Sequence, residues 1–189
     1  ANEFSGAVDN GLATTSGRST AGMWGYAVSA GSLDISLGYN QMPAAAAESE
    51  QSIGLTYNDA GVEGLTVVAG RMDDGDIAES DTLGVSYTAG SITAAYQITK
   101  VDYEATGTAD QDAQHYGISV AVNENLSVSA GRQAVDIDGA ADDETNTGMS
   151  ASYTMGSITI AGAMNQVDSA GGTTAKDAES TSINISFAF

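Results

Sequence analysis

The chain has 189 residues with 25 acidic and 5 basic side chains, a net charge of -20, 42% apolar residues, 23 glycines, one proline and no cysteine. This length allows one domain at most, or part of a larger one, and the charge excludes a basic nucleic-acid surface, because it would repel phosphates. Without cysteine there are no disulfides or zinc–thiolate sites, and no apolar run approaches the roughly 18 to 20 residues of a membrane-spanning helix.

Five segments of the chain repeat one pattern, in which two alternating stretches are joined by a turn. The segments start near Trp24, Ile53, Leu83, Tyr116 and Met149. Apolar residues at every second position predict β-strands, and a turn between two such stretches predicts a hairpin. An eleventh strand, TSINISFAF, ends the chain. A propeller blade would need four strands in roughly forty residues, so paired antiparallel strands fit better.

The connections between the predicted strands are of two kinds. Those within a hairpin are tight, whereas the loops between hairpins run about ten residues and collect the acidic side chains. Nineteen of the 25 carboxylates fall in five such loops. They are Glu48, Glu50, Asp73, Asp74, Asp76, Glu79, Asp81, Asp102, Glu104, Asp110, Asp112, Asp136, Asp138, Asp142, Asp143, Glu144, Asp168, Asp177 and Glu179.

The second face of the predicted strands is small and mostly uncharged, which is unusual for a water-soluble sheet. It comprises Asp34, Ser36, Gly38, Gly84, Ser86, Thr93, Ser119, Ser127, Ser129, Ser150, Ser152 and Thr159. An apolar outer face, a small polar inner face, short turns and long loops are features of a transmembrane β-barrel. The predicted fold class is therefore all-β, a transmembrane antiparallel up-and-down β-barrel with short periplasmic turns and long acidic extracellular loops.

Aromatic and basic residues refine this prediction. Tyr57, Tyr87 and Tyr153 precede the turns at matching positions, where their rings would lie at the lipid headgroups. Ordinary cross-strand packing in a soluble sheet is the alternative. Residues two positions apart on a strand share a face, and this parity of position places Arg71 and Arg132 on the lipid-facing side. Three explanations stay open, namely snorkelling, a subunit seam, or a bulge near the preceding glycine that turns each arginine into the lumen.

Three segments of the sequence, GVSYTAGSITAAYQ, SASYTMGSITIAGAMNQ and the terminal SINISFAF, resemble the C-terminal portion of a bacterial general-diffusion porin. The resemblance covers most of the chain. It implies a sixteen-stranded, usually trimeric barrel in the bacterial outer membrane, with a periplasmic C-terminus and a constriction loop after the fifth strand. The alternating Ile183, Ile185, Phe187 and Phe189 are similar to the signal that the outer-membrane assembly machinery reads.

Eleven visible strands are too few for such a barrel, and two explanations stay open. In the first, residues 1–20 are an N-terminal loop segment that corresponds to the constriction loop, and five strands are missing before it. In the second, residues 1–20 include a weak first strand at Glu3–Val8, which closes a twelve-stranded barrel. Residues 21–189 then form the β-barrel hairpins and the closing strand. We expect the mature protein to be longer than this chain.

Few residues in the sequence point to catalysis or to a metal. The one histidine, His115, precedes a strand, which is more typical of a structural or solvated side chain than of a general base. We therefore expect no enzyme activity and no cofactor. Asp73, Asp74 and Asp76 could bind Ca²⁺ through hard oxygens, but they lack the spacing of a calcium loop.

The predicted function is passive diffusion of small hydrophilic solutes and ions through a water-filled channel that prefers cations. Asp34 and Arg18 are the candidate pore-lining residues. The expected partners are the lipid bilayer, two further copies in a homotrimer, the assembly machinery and the solutes, and no nucleic acid. The alternative function is an acidic extracellular β-sheet protein for adhesion or a surface layer, with calcium bound at its acidic loops.

Overall fold

A computed structural model describes residues 23–40, 49–75 and 77–188. These residues form eleven strands that hydrogen-bond in chain order, from β1 to β11, in one up-and-down antiparallel sheet. The strands are β1 (Met23–Ala30), β2 (Leu33–Asn40), β3 (Glu50–Tyr57), β4 (Leu65–Asp74), β5 (Ala78–Ala89), β6 (Ile92–Tyr103), β7 (Gln111–Ala121), β8 (Leu126–Ile137), β9 (Glu144–Met155), β10 (Ile158–Asp168) and β11 (Ala178–Phe187). The predicted all-β class and the predicted strands are confirmed.

Three of the hairpins have turns of only two residues, each with the sequence Gly-Ser. Gly31, Gly90 and Gly156 occupy the first turn position with φ between 59° and 64°. This left-handed conformation is strained for a residue with a Cβ atom, so glycine suits these positions. The β3–β4 connection is longer, because it spans 58–64 and is held by the Asp59 carboxylate, which accepts the Gly64 N–H at 2.8 Å.

The described residues divide into two compact units, and the first comprises 23–85 and 97–112. In this unit the register of β2 to β4 is unbroken. Ile35 pairs with Leu55, and Leu55 pairs with Ala69. The buried apolar side chains of the unit are small, namely Ala78 and Val101. Beside them the hydroxyls of Thr82 and Thr99 lie 3.1 Å apart, so a hydrogen bond offsets part of the cost of burying them.

The second unit comprises 86–96 and 113–188. Here β8 to β11 pair without interruption, from the Leu126–Tyr153 pair to the Ile158–Phe187 pair. A short 3₁₀ turn, Ala170–Gly172, lies in the connection between β10 and β11. Ala113 and Val135 are the buried apolar residues described for this unit. Within the described part of the chain, no helix is long and apolar enough to cross a membrane.

The strands extend further toward the long connections than the apolar alternation predicts. For example, β5 begins at Ala78, whereas the alternation begins at Leu83. Eleven of the nineteen carboxylates assigned to loops therefore lie on strands. They are Glu50, Asp73, Asp74, Glu79, Asp81, Asp102, Asp112, Asp136, Glu144, Asp168 and Glu179. The backbone hydrogen bonds between strands continue past the last apolar side chain, so each of these strands is longer than its alternating stretch.

Candidate functional site

The two faces of each strand differ in chemistry and in exposure. We call the face with the alternating apolar residues the apolar face, and the opposite face the polar face. On β5 the apolar-face residues Leu83 and Tyr87 are 53% and 46% exposed, while Ser80 and Thr82 on the polar face are each only 7% exposed. Apolar side chains outward and small polar side chains inward are the reverse of a soluble sheet.

Exposure of large apolar side chains extends along the described strands. Twenty-three exposed ones lie on the described strands, including Ile160 and Ile183, whereas the buried apolar residues are four small side chains. A water-soluble monomer rarely exposes so continuous an apolar surface. The apolar faces therefore need an apolar surrounding, which leaves the polar faces for water.

On the polar faces of β2 to β4, one acidic site lies beside the turns. Asn58 donates from Nδ2 to the Asp34 carboxylate at 3.1 Å, and Thr66 donates to the Asn58 side-chain oxygen at 3.3 Å. The chain Thr66 to Asn58 to Asp34 orients the carboxylate without neutralising it. Sequence parity predicted Asp34 on this face, and the register places it there, opposite Thr56.

A second acidic site lies at the other end of the same polar faces. Glu50 pairs with Asn40 on one side and with Asp74 on the other, so all three residues share this face. Asn40 donates from Nδ2 to the Glu50 carboxylate at 3.4 Å, and Asp74 is 4% exposed. Asn40 is six positions beyond Asp34 on β2, which separates the two acidic sites by about 20 Å along the strand.

Glu144, on the polar face of β9, has a different role, because its carboxylate holds a loop. Its Oε1 accepts from the Asn146 side chain at 2.7 Å, and its Oε2 accepts the Gly171 N–H at 2.8 Å. Nearby, Thr174 donates to the Asp142 carboxylate at 2.9 Å, and the Asp142 N–H donates to the Gly172 carbonyl. The β8–β9 and β10–β11 connections are thus tied to each other.

The basic residues of the described strands lie on the apolar faces. Arg71 forms ion pairs with Glu79 and, at 3.4 Å, with Asp81, while Lys100 pairs with Asp112 at 2.8 Å. Arg71 is opposite Ile53 in an unbroken register, so the β3–β4 ladder has no bulge at Gly70, which was one of the three explanations considered. The register of β8 and β9 is also unbroken at Arg132, opposite Thr147, so this ladder has no bulge at Gly131.

The remaining predicted sites fall into three groups. Tyr57, Tyr87 and Tyr153 lie on apolar faces near turns and are 43% to 47% exposed, so the predicted girdle remains compatible with their placement. Ile183, Ile185 and Phe187 share the apolar face of β11 and are 57% to 74% exposed. Arg18, Asp76, Phe189 and the segment 1–20 lie outside the described residues.

The predicted calcium site is divided by the strand geometry. Asp73 and Asp74 are consecutive residues of β4, so their side chains lie on opposite faces. The Asp73 carboxylate accepts the Gly75 N–H at 2.9 Å. Among the described residues, no group of three His, Asp or Glu side chains could hold a metal ion. His115, the histidine considered for catalysis, is half-buried on the polar face of β7.

Sequence reasoning missed three polar-face carboxylates, Glu50, Asp74 and Glu144, because it assigned all three to loops. Parity could have found them, since Glu50 is two positions from Ser52 on the same face. It also missed the ion pairs of Arg71 and Lys100. Those pairs join residues on different strands, so they depend on a register that the alternation does not define.

A family model described as Gram-negative porin matches residues 1–189. Similar solved structures include a refined porin structure, with 18% identity and a TM-score of 0.69 over 88% of this chain and 60% of that one. A loop-deletion variant of the OmpT outer membrane protein of Vibrio cholerae has 18% identity and a TM-score of 0.69 over 87% of this chain and 62% of that one.

An anion-selective porin from Comamonas acidovorans has 14% identity and a TM-score of 0.71, over 88% of this chain and 59% of that one. A comparison with curated protein sequences gives no match. The chain thus spans about 60% of the length of the first solved structures that it resembles. At these identities the structural likeness shows the fold.

Proposed function

Because this chain belongs to the Gram-negative porin family, we propose that the protein it forms, or forms part of, is a water-filled channel for passive diffusion of small hydrophilic solutes and ions. Its location is the bacterial outer membrane. The exposed apolar faces suit the surrounding lipid, and the small polar faces suit a channel wall. Family and fold are those of channel proteins, and we infer that the protein has no enzyme activity.

We further propose that the channel prefers cations. One observation carries this proposal: in residues 23–40, 49–75 and 77–188, the charged groups on the polar faces of the strands are carboxylates, while Arg71, Lys100 and Arg132 lie on apolar faces. The polar-face carboxylates are Asp34, Glu50, Asp74 and Glu144. A wall of one sign raises the local concentration of the opposite ion. The anion-selective relative from Comamonas acidovorans indicates that the fold alone does not set selectivity.

Reversal potentials across a planar bilayer with a potassium chloride gradient test this proposal. The protein should favour potassium, and the double variant Asp34→Asn/Glu50→Gln should favour it less, because two wall charges are removed. The double variant Asp168→Asn/Glu179→Gln is the matched control, since it removes two carboxylates from the apolar faces of β10 and β11 and should leave selectivity unchanged. A chloride preference, or equal shifts from the double variant and the control, would contradict the assignment of the polar faces to the channel wall.

The adhesion or surface-layer alternative requires a water-soluble sheet. Family membership and the exposed apolar faces favour the channel over that alternative. Detergent dependence separates the two, because a soluble sheet should stay monodisperse without detergent. Precipitation or loss of the protein on detergent removal is the expected result.

The homotrimer and the contact with the assembly machinery rest on the porin resemblance and remain proposals. Native mass spectrometry of detergent-extracted protein tests the first, with three copies per particle as the expected result. A particle of one or two copies would contradict it. The placement of residues 1–20 at a constriction loop remains a prediction. So does calcium binding at the acidic loops, although Asp73 and Asp74 lie on opposite faces of β4.

A further inference from the structure

Three side chains with oxygen atoms form a row across β2, β3 and β4, at the end of their polar faces that lies away from Asp34. Glu50 is in the middle of this row, because it pairs with Asn40 on β2 and with Asp74 on β4. Directly opposite residues of antiparallel strands have Cα atoms about 4.5 to 5.5 Å apart, so both neighbours lie within reach of the Glu50 side chain. We call Asn40, Glu50 and Asp74 the Glu50 row.

The Glu50 row places two carboxylates opposite each other. Like charges at directly opposite positions destabilise a sheet. Asp74 is 4% exposed and Glu50 is half-buried, so water screens only part of this repulsion. A carboxylate has about four lone-pair sites, so each of the two keeps acceptor capacity beside its contacts within the protein. A cation between them would be attracted by both.

Asn40 supplies a second, independent observation. It is 7% exposed, and within the part of the chain that the structure describes its Oδ1 is buried and accepts no hydrogen bond. Buried carbonyl oxygens nearly always have a partner, because removing them from water without one is costly. The Nδ2 atom of the same amide lies 3.4 Å from the Glu50 carboxylate oxygen Oε2. The unsatisfied oxygen thus belongs to a group that faces the Glu50 carboxylate.

The distance between Asn40 and Glu50 suits one size of ion. A hydrogen bond of 3.4 Å is longer than the usual range of about 2.7 to 3.2 Å, so little is lost when the amide turns over and Oδ1 takes the place of Nδ2. Two oxygens bound at right angles to Ca²⁺, each at about 2.4 Å, are about 3.4 Å apart. For Mg²⁺, which binds oxygen at about 2.1 Å, the same separation is about 3.0 Å. The row therefore matches the larger ion.

We propose that the Glu50 row binds one Ca²⁺, with the Glu50 and Asp74 carboxylates and the Asn40 Oδ1 as ligands. Water on the channel side completes the about six to eight oxygens that Ca²⁺ takes. The proposal goes beyond the channel function, and rests on it only for the access of water and ions to this face. Of the three residues of the predicted calcium loop, the site uses Asp74 alone. Its third ligand is a carboxamide, which agrees with the finding that no three His, Asp or Glu side chains among the described residues form a metal site.

Isothermal titration calorimetry of the detergent-extracted protein, freed of bound ions with a chelator, tests the site. We expect Ca²⁺ to bind with a Kd of about 10⁻⁴ to 10⁻³ M, the range of weak calcium sites, and Mg²⁺ to bind more weakly. Glu50→Gln and Asp74→Asn should each raise the Kd for Ca²⁺ about tenfold or more, because each removes one charged ligand. Asp34→Asn is the matched control, since it removes a carboxylate from the same polar faces about 20 Å away and should leave this Kd unchanged.

Variants of Asn40 distinguish a ligand from a merely acidic patch. Asn40→Asp keeps an oxygen in the row and adds a charge, so Ca²⁺ should bind more tightly. Asn40→Leu, of similar size, removes the oxygen and should bind Ca²⁺ more weakly. Thermal unfolding provides a second readout, because a bound ion stabilises the folded state by mass action. Added Ca²⁺ should raise the Tm of the unmodified protein and of Asn40→Asp more than that of Glu50→Gln.

Equal affinities of the unmodified protein, Glu50→Gln and Asp74→Asn would overturn the site. An equal loss in Asp34→Asn would overturn it too, because Ca²⁺ would then only screen the acidic side chains. Equal or tighter binding of Mg²⁺ would overturn the choice of ion. Reversal potentials are recorded in chelator on the same preparations, so that the two proposals fail separately. Calcium binding without a potassium preference contradicts the proposed selectivity alone, whereas a potassium preference with a calcium affinity that neither Glu50→Gln nor Asp74→Asn changes contradicts the calcium site alone.

Discussion

The two faces of the same strands carry charges with different partners. On the apolar faces, Arg71 and Lys100 are ion-paired with carboxylates. On the polar faces of β2 to β4, the carboxylates Asp34 and Glu50 accept hydrogen bonds from neutral asparagine side chains. The net charge of the chain therefore says little about the channel wall, because the parity of each position decides on which face a charge acts.

The largest expected effect comes from placing a charge on each face of β11. Ile185→Arg, on the apolar face, should cost about 2 to 4 kcal/mol if it meets the bilayer midplane, and so should Ile160→Arg on its paired neighbour. Ser186→Arg is the matched change on the polar face and should cost far less. Denaturant titration of the protein in lipid vesicles measures the free energy of unfolding. Equal costs on the two faces would contradict the assignment of the apolar faces to lipid.

A smaller difference is expected between two arginines of the apolar faces. Arg71 has two ion-pair partners, whereas no ion pair of Arg132 is recorded within the described residues. Both substitutions remove an arginine from an apolar face, so that gain is shared, and only Arg71→Met also loses ion pairs, which are worth about 0 to 1 kcal/mol. Arg132→Met should thus be more stable than Arg71→Met by up to about 1 kcal/mol in the same titration. The reverse order would show that the ion pairs of Arg71 do not stabilise the fold.

Two glycines test the packing of the faces. A Cβ atom at Gly162, on the apolar face of β10, would meet only a backbone oxygen at 3.9 Å, whereas at Gly148, on the polar face of β9, it would lie 2.8 Å from the Asn165 side chain. Gly162→Ala should stabilise the protein by about 0.5 to 1 kcal/mol, because alanine loses less conformational entropy on folding. Gly148→Ala should gain less, since Asn165 must move. A larger gain at Gly148 would count against the crowded polar face.

The smallest energies concern ion selectivity. A wall charge and an ion about 10 Å apart in water interact by about 0.4 kcal/mol. The potassium preference should weaken as salt rises from 0.1 M to 1 M, because the Debye length falls from about 10 Å to about 3 Å. Reversal potentials at a constant concentration ratio and increasing total salt measure this dependence. Selectivity that does not change with ionic strength would indicate that screened wall charges do not control permeation.

The sequence predicted the hairpins because alternation with a period of two is a local signal. It also predicted Asp34 on the polar face, since this residue sits within an alternating stretch. It did not predict that β5 extends back to Ala78, because charged and small residues replace the apolar ones there. The bulge considered for Arg71 was wrong for a related reason, as alternation along one strand does not show whether the neighbouring strand stays in register.

The tie between the β8–β9 and β10–β11 connections has a consequence for proteolysis. A protease needs several residues of extended, accessible backbone, and exposed loops are its usual targets. Here the Ala141 and Asp142 N–H groups both donate to the Gly172 carbonyl, and Glu144 accepts from Gly171. Before cleavage, either connection must first detach from the other, so each one slows digestion of its neighbour. A single cut in the β8–β9 connection would also leave the fragments held together by the strand ladders on both sides of it.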